Sequence, residues 1–95
     1  MDHVATITLL IPGPLRAAAG GASALAVEAP DVRGLLQAIE AQHPALHRNV
    51  CDETGAVRRH LNVFVNTAHI RDLAGLDTAL ASGDHVIILP AVSGG

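Results

Sequence analysis

The chain has no lysine, tryptophan or tyrosine, and only one phenylalanine and one cysteine, in 95 residues. Each absence excludes something. With Phe64 as the sole aromatic residue there is no series of rings on which bases could stack. The six arginines are scattered without a basic run, so nucleic-acid binding is not expected. Cys51 alone closes no internal disulfide, and an iron–sulfur ferredoxin would need four cysteines. Without lysine, no side chain of this protein accepts an isopeptide bond, so chains of linked copies are limited to the N-terminus. No apolar run approaches the roughly 20 residues of a membrane span. The start carries Asp2 and His3 without a basic segment and does not read as a secretory signal. A cytoplasmic protein is the expectation.

What is present is a small apolar core. Apolar residues make up 49% of the chain and charged ones 16%, with a net charge of −3, which suits one globular domain over residues 1–95. From Val4 to Ile11 the residues alternate, with Ala5, Ile7, Leu9 and Ile11 on one face and Thr6 and Thr8 on the other, a half-buried strand. Pro12-Gly13-Pro14 breaks it, Gly20-Gly21 turns the chain, and Ser23–Glu28 forms a return strand. Asp31 stands at a helix N-cap position. Val32, Leu35, Leu36 and Ile39 follow as one apolar stripe, interrupted by Gly34 and stopped by Pro44. Leu46 and Val50 can anchor a short second helix, and Asp52–Gly55 reads as a turn. Leu61–Asn66 is the clearest strand. A tight turn at Asn66-Thr67 leads to a short strand over Ala68–Arg71, a helical turn over Leu76–Leu80, a turn at Ser82-Gly83-Asp84 and a last strand, His85–Leu89. The first and last strands are the most apolar and belong at the centre of a mixed sheet. An α+β fold follows: a β-grasp like that of ubiquitin, four to five strands with one main helix on one face.

Three features are candidates for function. Strands 61–66 and 85–89 are apolar on both faces. If Val63, Val65, Val86 and Ile88 face the helix, then Phe64, Ile87 and Leu89 form an outward patch fit for a protein partner. His43, His47 and Cys51 have helical spacing, but Pro44 interrupts it and no fourth ligand is evident, so no metal site is expected. Arg58-Arg59-His60 reads as a solvated approach to a strand, with contact to an acidic partner as its alternative. The chain then finishes on Leu89-Pro90-Ala91-Val92-Ser93-Gly94-Gly95.

The motifs Asn62-Val63-Phe64-Val65-Asn66, Leu76–Leu80, Gly83-Asp84-His85-Val86 and Leu89–Gly95, in that order, resemble the ThiS/MoaD family of ubiquitin-like sulfur carriers. The similarity runs over essentially the whole chain. It implies a covalent carrier and no enzyme: a ubiquitin-activating-type adenylyltransferase uses ATP and Mg²⁺ to adenylate the carboxylate of Gly95, and a sulfur donor displaces AMP to leave a thiocarboxylate. No cofactor is bound by the carrier itself. The tail, Pro90, Ala91, Val92, Ser93 and Gly94, is then expected to be flexible and to thread into partner active sites. It would reach roughly 20 Å extended, with Pro90 ending the strand and the two glycines allowing walls to close on the backbone.

Pro44, Leu46, Arg59 and Asn62 are set much as in the carriers of the O-phosphoserine route to cysteine. That likeness implies a pyridoxal-phosphate-dependent, cysteine-synthase-like acceptor and a trimming JAMM-type metalloprotease, with sulfur-containing natural products as further destinations. A small subunit of molybdopterin synthase and a ubiquitin-like modifier of other proteins remain as alternatives.

Overall fold

The computed structural model describes residues 4–91. Its sheet has five strands: β1 (Ala5–Leu10), β2 (Ala24–Ala29), β3 (Leu61–Val65), β4 (Ala68–His69) and β5 (His85–Pro90), in the order β2-β1-β5-β3-β4. β1 and β5 run parallel at the centre and every other pairing is antiparallel. Two helices, α1 (Val32–Gln42) and α2 (Pro44–Val50), follow β2. This is the expected β-grasp, with the two most apolar strands as neighbours.

Alternation decides which face is buried. Ala5, Ile7 and Leu9 of β1 and Ile11 just beyond it are all buried, as are Val63 and Val65 of β3 and Val86 and Ile88 of β5. α1 contributes Val32, Leu35, Leu36 and Ile39, and α2 adds Leu46 and Val50 to the same cluster. Each large side chain fully buried there contributes about 1.5–3 kcal/mol. Asp31, extended at φ −155°, caps α1 by accepting from the Gly34 amide at 2.7 Å. Gly34 sits where the chain enters the helix: a Cβ there would lie 2.9 Å from Pro30 Cδ and 3.1 Å from Asp31 Oδ1. The glycine in the apolar stripe is therefore a close-packing requirement. Among the described residues, no helix is long and apolar enough to cross a membrane.

Four boundaries differ from the sequence reading. The loop between β1 and β2 holds a 3-10 helix, Gly13–Ala19, entered through Pro12 and Pro14, which fix φ at its first positions. The short strand over Ala68–Arg71 stops at His69, because His69 Nδ1 accepts from the Arg71 amide at 3.1 Å and caps a 3-10 turn, Ile70–Asp72. The turn over Leu76–Leu80 is a 3-10 turn at Gly75–Asp77, closed by Thr78, whose hydroxyl donates to the Gly75 carbonyl and accepts from the Ala74 amide.

The fourth difference is Pro90. It does not end the strand; it pairs with Leu61 as the last residue of β5, and the Ala91 amide donates to the His60 carbonyl at 2.7 Å. Hydrogen-bonded pairs alternate along antiparallel strands. Asn66 donates to His85 at 2.7 Å and Ala91 to His60, so the bonded pairs fall at 85, 87, 89 and 91 of β5. Pro90 is out of phase with them, and its missing N–H turns to the β1 side, where pairing has already ended at Leu10 and Ile87. A proline is harmless at that position.

Candidate functional site

The sheet face away from the helices carries an unbroken row across all five strands. Register places Ala24 beside Leu10, Leu10 beside Ile87, Ile87 beside Phe64, and Phe64 beside His69. Leu89, two residues on, lies opposite Asn62 and is 44% exposed, while Phe64 and Ile87 are half-buried by their neighbours. The expected outward trio is thus brought together on one surface. Leu10 belongs to it and was missed, although continuing the alternation that places Thr6 and Thr8 outward leads directly to it.

The polar side of this face is fixed by His69. Its Nδ1 accepts from the Arg71 amide, so in the neutral ring Nε2 carries the hydrogen and donates to Asn62 Oδ1 at 3.0 Å. The imidazole also meets Phe64 edge-on, with centroids 5.1 Å apart. At the other end of β3, Asn66 adopts the left-handed conformation (φ 56°) and clamps two turns together. Its Nδ2 donates to Asp84 Oδ1 at 3.1 Å and its Oδ1 accepts from the His85 amide at 3.0 Å. Asp84 also accepts from the Ala81 amide at 2.9 Å, and these donors hold its carboxyl below the ordinary aspartate range. Asp52, which organises its own turn through the Thr54 hydroxyl and amide, is lowered in the same way.

Of the tail residues, Pro90 and Ala91 lie at the end of β5, both exposed, alongside Leu61 and His60. Val92, Ser93, Gly94 and Gly95, on which the expected chemistry rests, lie outside the described residues. Beyond Ala91 the chain has four residues, spanning at most about 14 Å. This is less than the reach expected from a tail that starts at Pro90, because the ladder holds two residues more.

The remaining candidates are inert or dispersed. Cys51 lines a cavity of about 620 Å³ between α1, the end of α2 and the 52–56 turn, yet is only 1% exposed. Burial, then the neighbouring Asp52 carboxylate, pushes its thiol up to about 11, so it is protonated near neutrality and a poor nucleophile. His43 is the junction between α1 and α2, and His47 lies 3.9 Å from Glu40. Among the described residues no three His, Cys, Asp or Glu side chains are grouped to hold a metal.

The ThiS family model matches residues 9–95. The sulfur carrier protein CysO of Mycobacterium tuberculosis is 34% identical over 91 residues, covering 94% of this chain and 98% of that one. The fold superposes on CysO from the Amycolatopsis orientalis BexX/CysO complex with a TM-score of 0.84 at 31% identity, covering 94% of this chain and 99% of the other. The small archaeal modifier protein 1 of Methanosarcina acetivorans superposes with a TM-score of 0.82 at 32% identity, over 99% and 100% of the two chains.

Proposed function

The chain belongs to the ThiS family, and from that premise we propose that it is a sulfur carrier whose Gly95 carboxylate is the working group. The observation that carries this reading is the continuity of the outward apolar row with the strand that leads to the tail: Ile87 and Leu89 lie on β5 immediately before Pro90 and Ala91. A partner seated on Phe64, Ile87 and Leu89 has the chain's end within about 14 Å of the last sheet residue.

The chemistry requires activation first, because a carboxylate is a poor electrophile. A partner adenylyltransferase with bound ATP and Mg²⁺ joins the Gly95 carboxylate to AMP and releases pyrophosphate. Sulfide attacks the acyl carbon, AMP leaves with the electron pair of the broken C–O bond, and a thiocarboxylate remains. The thiocarboxylate is anionic and nucleophilic at neutral pH, and its acceptor is a cytoplasmic sulfur-using synthase. Pro44, Leu46, Arg59 and Asn62, set much as in the carriers of the O-phosphoserine route to cysteine, support a pyridoxal-phosphate-dependent, cysteine-synthase-like enzyme as that acceptor, with a JAMM-type metalloprotease trimming the adduct. The likeness to CysO in the BexX/CysO complex supports docking on a partner protein, and a synthase of sulfur-containing natural products is a further acceptor in this scheme. Gly94 and Gly95 lack a Cβ, so the narrow walls of an adenylation site can close on the backbone. In this scheme the carrier contributes no acid, base or metal.

Adenylation is read directly by ATP–pyrophosphate exchange. With the activating enzyme present, the full chain supports exchange and a chain lacking Gly95 does not. Equal exchange with both would refute Gly95 as the adenylated residue. A second reading, attachment of the activated Gly95 to lysine amines of other proteins, is favoured by the likeness to the small archaeal modifier protein. It is separated by whether the loaded chain ends on sulfur or on a lysine-linked adduct.

A further inference from the structure

Beside the apolar face lies a groove of about 370 Å³ that the sulfur chemistry does not use. Arg58, Arg59 and Arg71 line it, His69 stands at its edge, and Leu61 and Ile70 contribute to its apolar side. Three of the chain's six arginines meet here, and no aspartate or glutamate among the described residues lines the groove, in a protein whose net charge is −3. Charge of one sign has therefore been gathered at one place against the overall balance.

The arginines are also partly organised. Arg58 Nε donates to the Arg48 carbonyl at 2.9 Å, which fixes the base of its guanidinium between this groove and the neighbouring cavity, where its charge also acts on Asp52. Arg71 begins from an amide pinned to His69 Nδ1. Among the described residues the one arginine–carboxylate ion pair is Arg33–Asp77, so none of the three groove arginines has a carboxylate within bonding reach. The location matters as well. Arg59 and Leu61 flank His60, whose carbonyl holds the Ala91 amide, so the groove opens where the tail leaves the sheet.

We propose that this groove is a docking site for an acidic peptide segment, rich in aspartate and glutamate, of a protein that receives the tail. Guanidinium forks bind carboxylates in two-point, charge-assisted pairs, which gives such a segment an orientation as well as affinity. The absence of stacking aromatics disfavours a nucleic acid, and three guanidiniums around one groove, each able to pair with its own carboxylate, suit a segment carrying several acidic side chains. The choice of partner rests on the carrier reading, whereas binding of an acidic peptide to the groove is measured without loading at Gly95, so the two can fail separately.

The test is titration of the ¹⁵N-labelled full chain with a hexaglutamate peptide, followed by NMR. The expected result is saturable shifts concentrated at Arg58, Arg59, Asn62, His69 and Arg71. They should be lost at ionic strength near 1 M, where the screening length is about 3 Å. The Arg59→Glu, Arg71→Glu double variant should bind about tenfold more weakly or worse. Both side chains are exposed, and an unchanged spectrum elsewhere shows that the variant is folded. Shifts spread evenly over the surface, or none at all, overturn the proposal. So does inorganic phosphate producing the same shifts at the same concentration, or oligouridylate binding more tightly than the peptide.

Discussion

The Ala91 amide donates to the His60 carbonyl at 2.7 Å, one residue beyond the proline that was expected to end the strand. The pair marks the boundary between the sheet and the four residues proposed to enter a partner. Its amide hydrogen is expected to exchange slowly, with protection comparable to the other bonded positions of β5, Ile87 and Leu89. Replacing Ala91 with proline removes the donor and should cost about 1 kcal/mol of stability in denaturant titration.

Gly34 is expected to resist the usual gain from a better helix former. Alanine adds about 1 kcal/mol of helix propensity. Its Cβ would meet Pro30 Cδ at 2.9 Å, and overpacking costs about 1–3 kcal/mol. Gly34→Ala should therefore leave stability unchanged or lower it by up to about 2 kcal/mol, whereas Asp31→Ala should lower it by about 1 kcal/mol through loss of the cap. A clear gain in melting temperature for Gly34→Ala would contradict the packing assigned here.

The outward face gives a third prediction. Leu89 is 44% exposed, so Leu89→Asp should leave the fold intact while placing a charge in the proposed docking surface. Loading by the activating enzyme should fall about tenfold or more in kcat/KM, corresponding to the loss of one interface anchor of over 1 kcal/mol. Normal loading would remove this face from the account.

Cys51 should be silent. With its thiol raised to about 11 from an ordinary value of 9.0, the thiolate fraction near neutrality is about a hundredfold lower than in the unfolded chain. Reaction with a disulfide reagent should be slower in the native state by at least that factor, and Cys51→Ala should load normally.

Acid sensitivity should reside in turns. Asp52 and Asp84 both titrate below their ordinary value in the folded state. A lowered carboxylate contributes stability that is present above its unfolded value, near 3.9, and is lost as pH falls through the folded value. Stability should therefore decline on acidification below about pH 4. In Asp84→Asn the decline should be shallower, because that turn no longer depends on an ionised partner for the Ala81 amide and Asn66.

Most of this fold was legible because period and punctuation coincided. The stripe Val32, Leu35, Leu36 and Ile39, the cap at Asp31 and the stop at Pro44 all appear where residue type alone places them. What was not legible depended on tertiary phase. Whether Pro90 breaks a ladder is decided by which neighbour its missing N–H would face, and that follows from the β1–β5 register, not from proline itself. Likewise His69 halts β4 through a side-chain bond to a backbone two residues on, and no pattern of hydropathy announces it. The arginine groove assembles Arg58 and Arg59 with Arg71 across the β3–β4 edge. The sequence shows Arg58 and Arg59 side by side, with an acidic partner as one reading, but not that Arg71 joins them.

The central claim is that Gly95 carries sulfur, and the intact mass of the chain tests it most directly. After incubation with the activating enzyme, ATP and sulfide, replacement of one carboxylate oxygen by sulfur should raise the mass by about 16 Da, and the chain lacking Gly95 should show no change. An unchanged mass for the full chain, under conditions in which the Mycobacterium tuberculosis CysO gains that increment, would contradict the account.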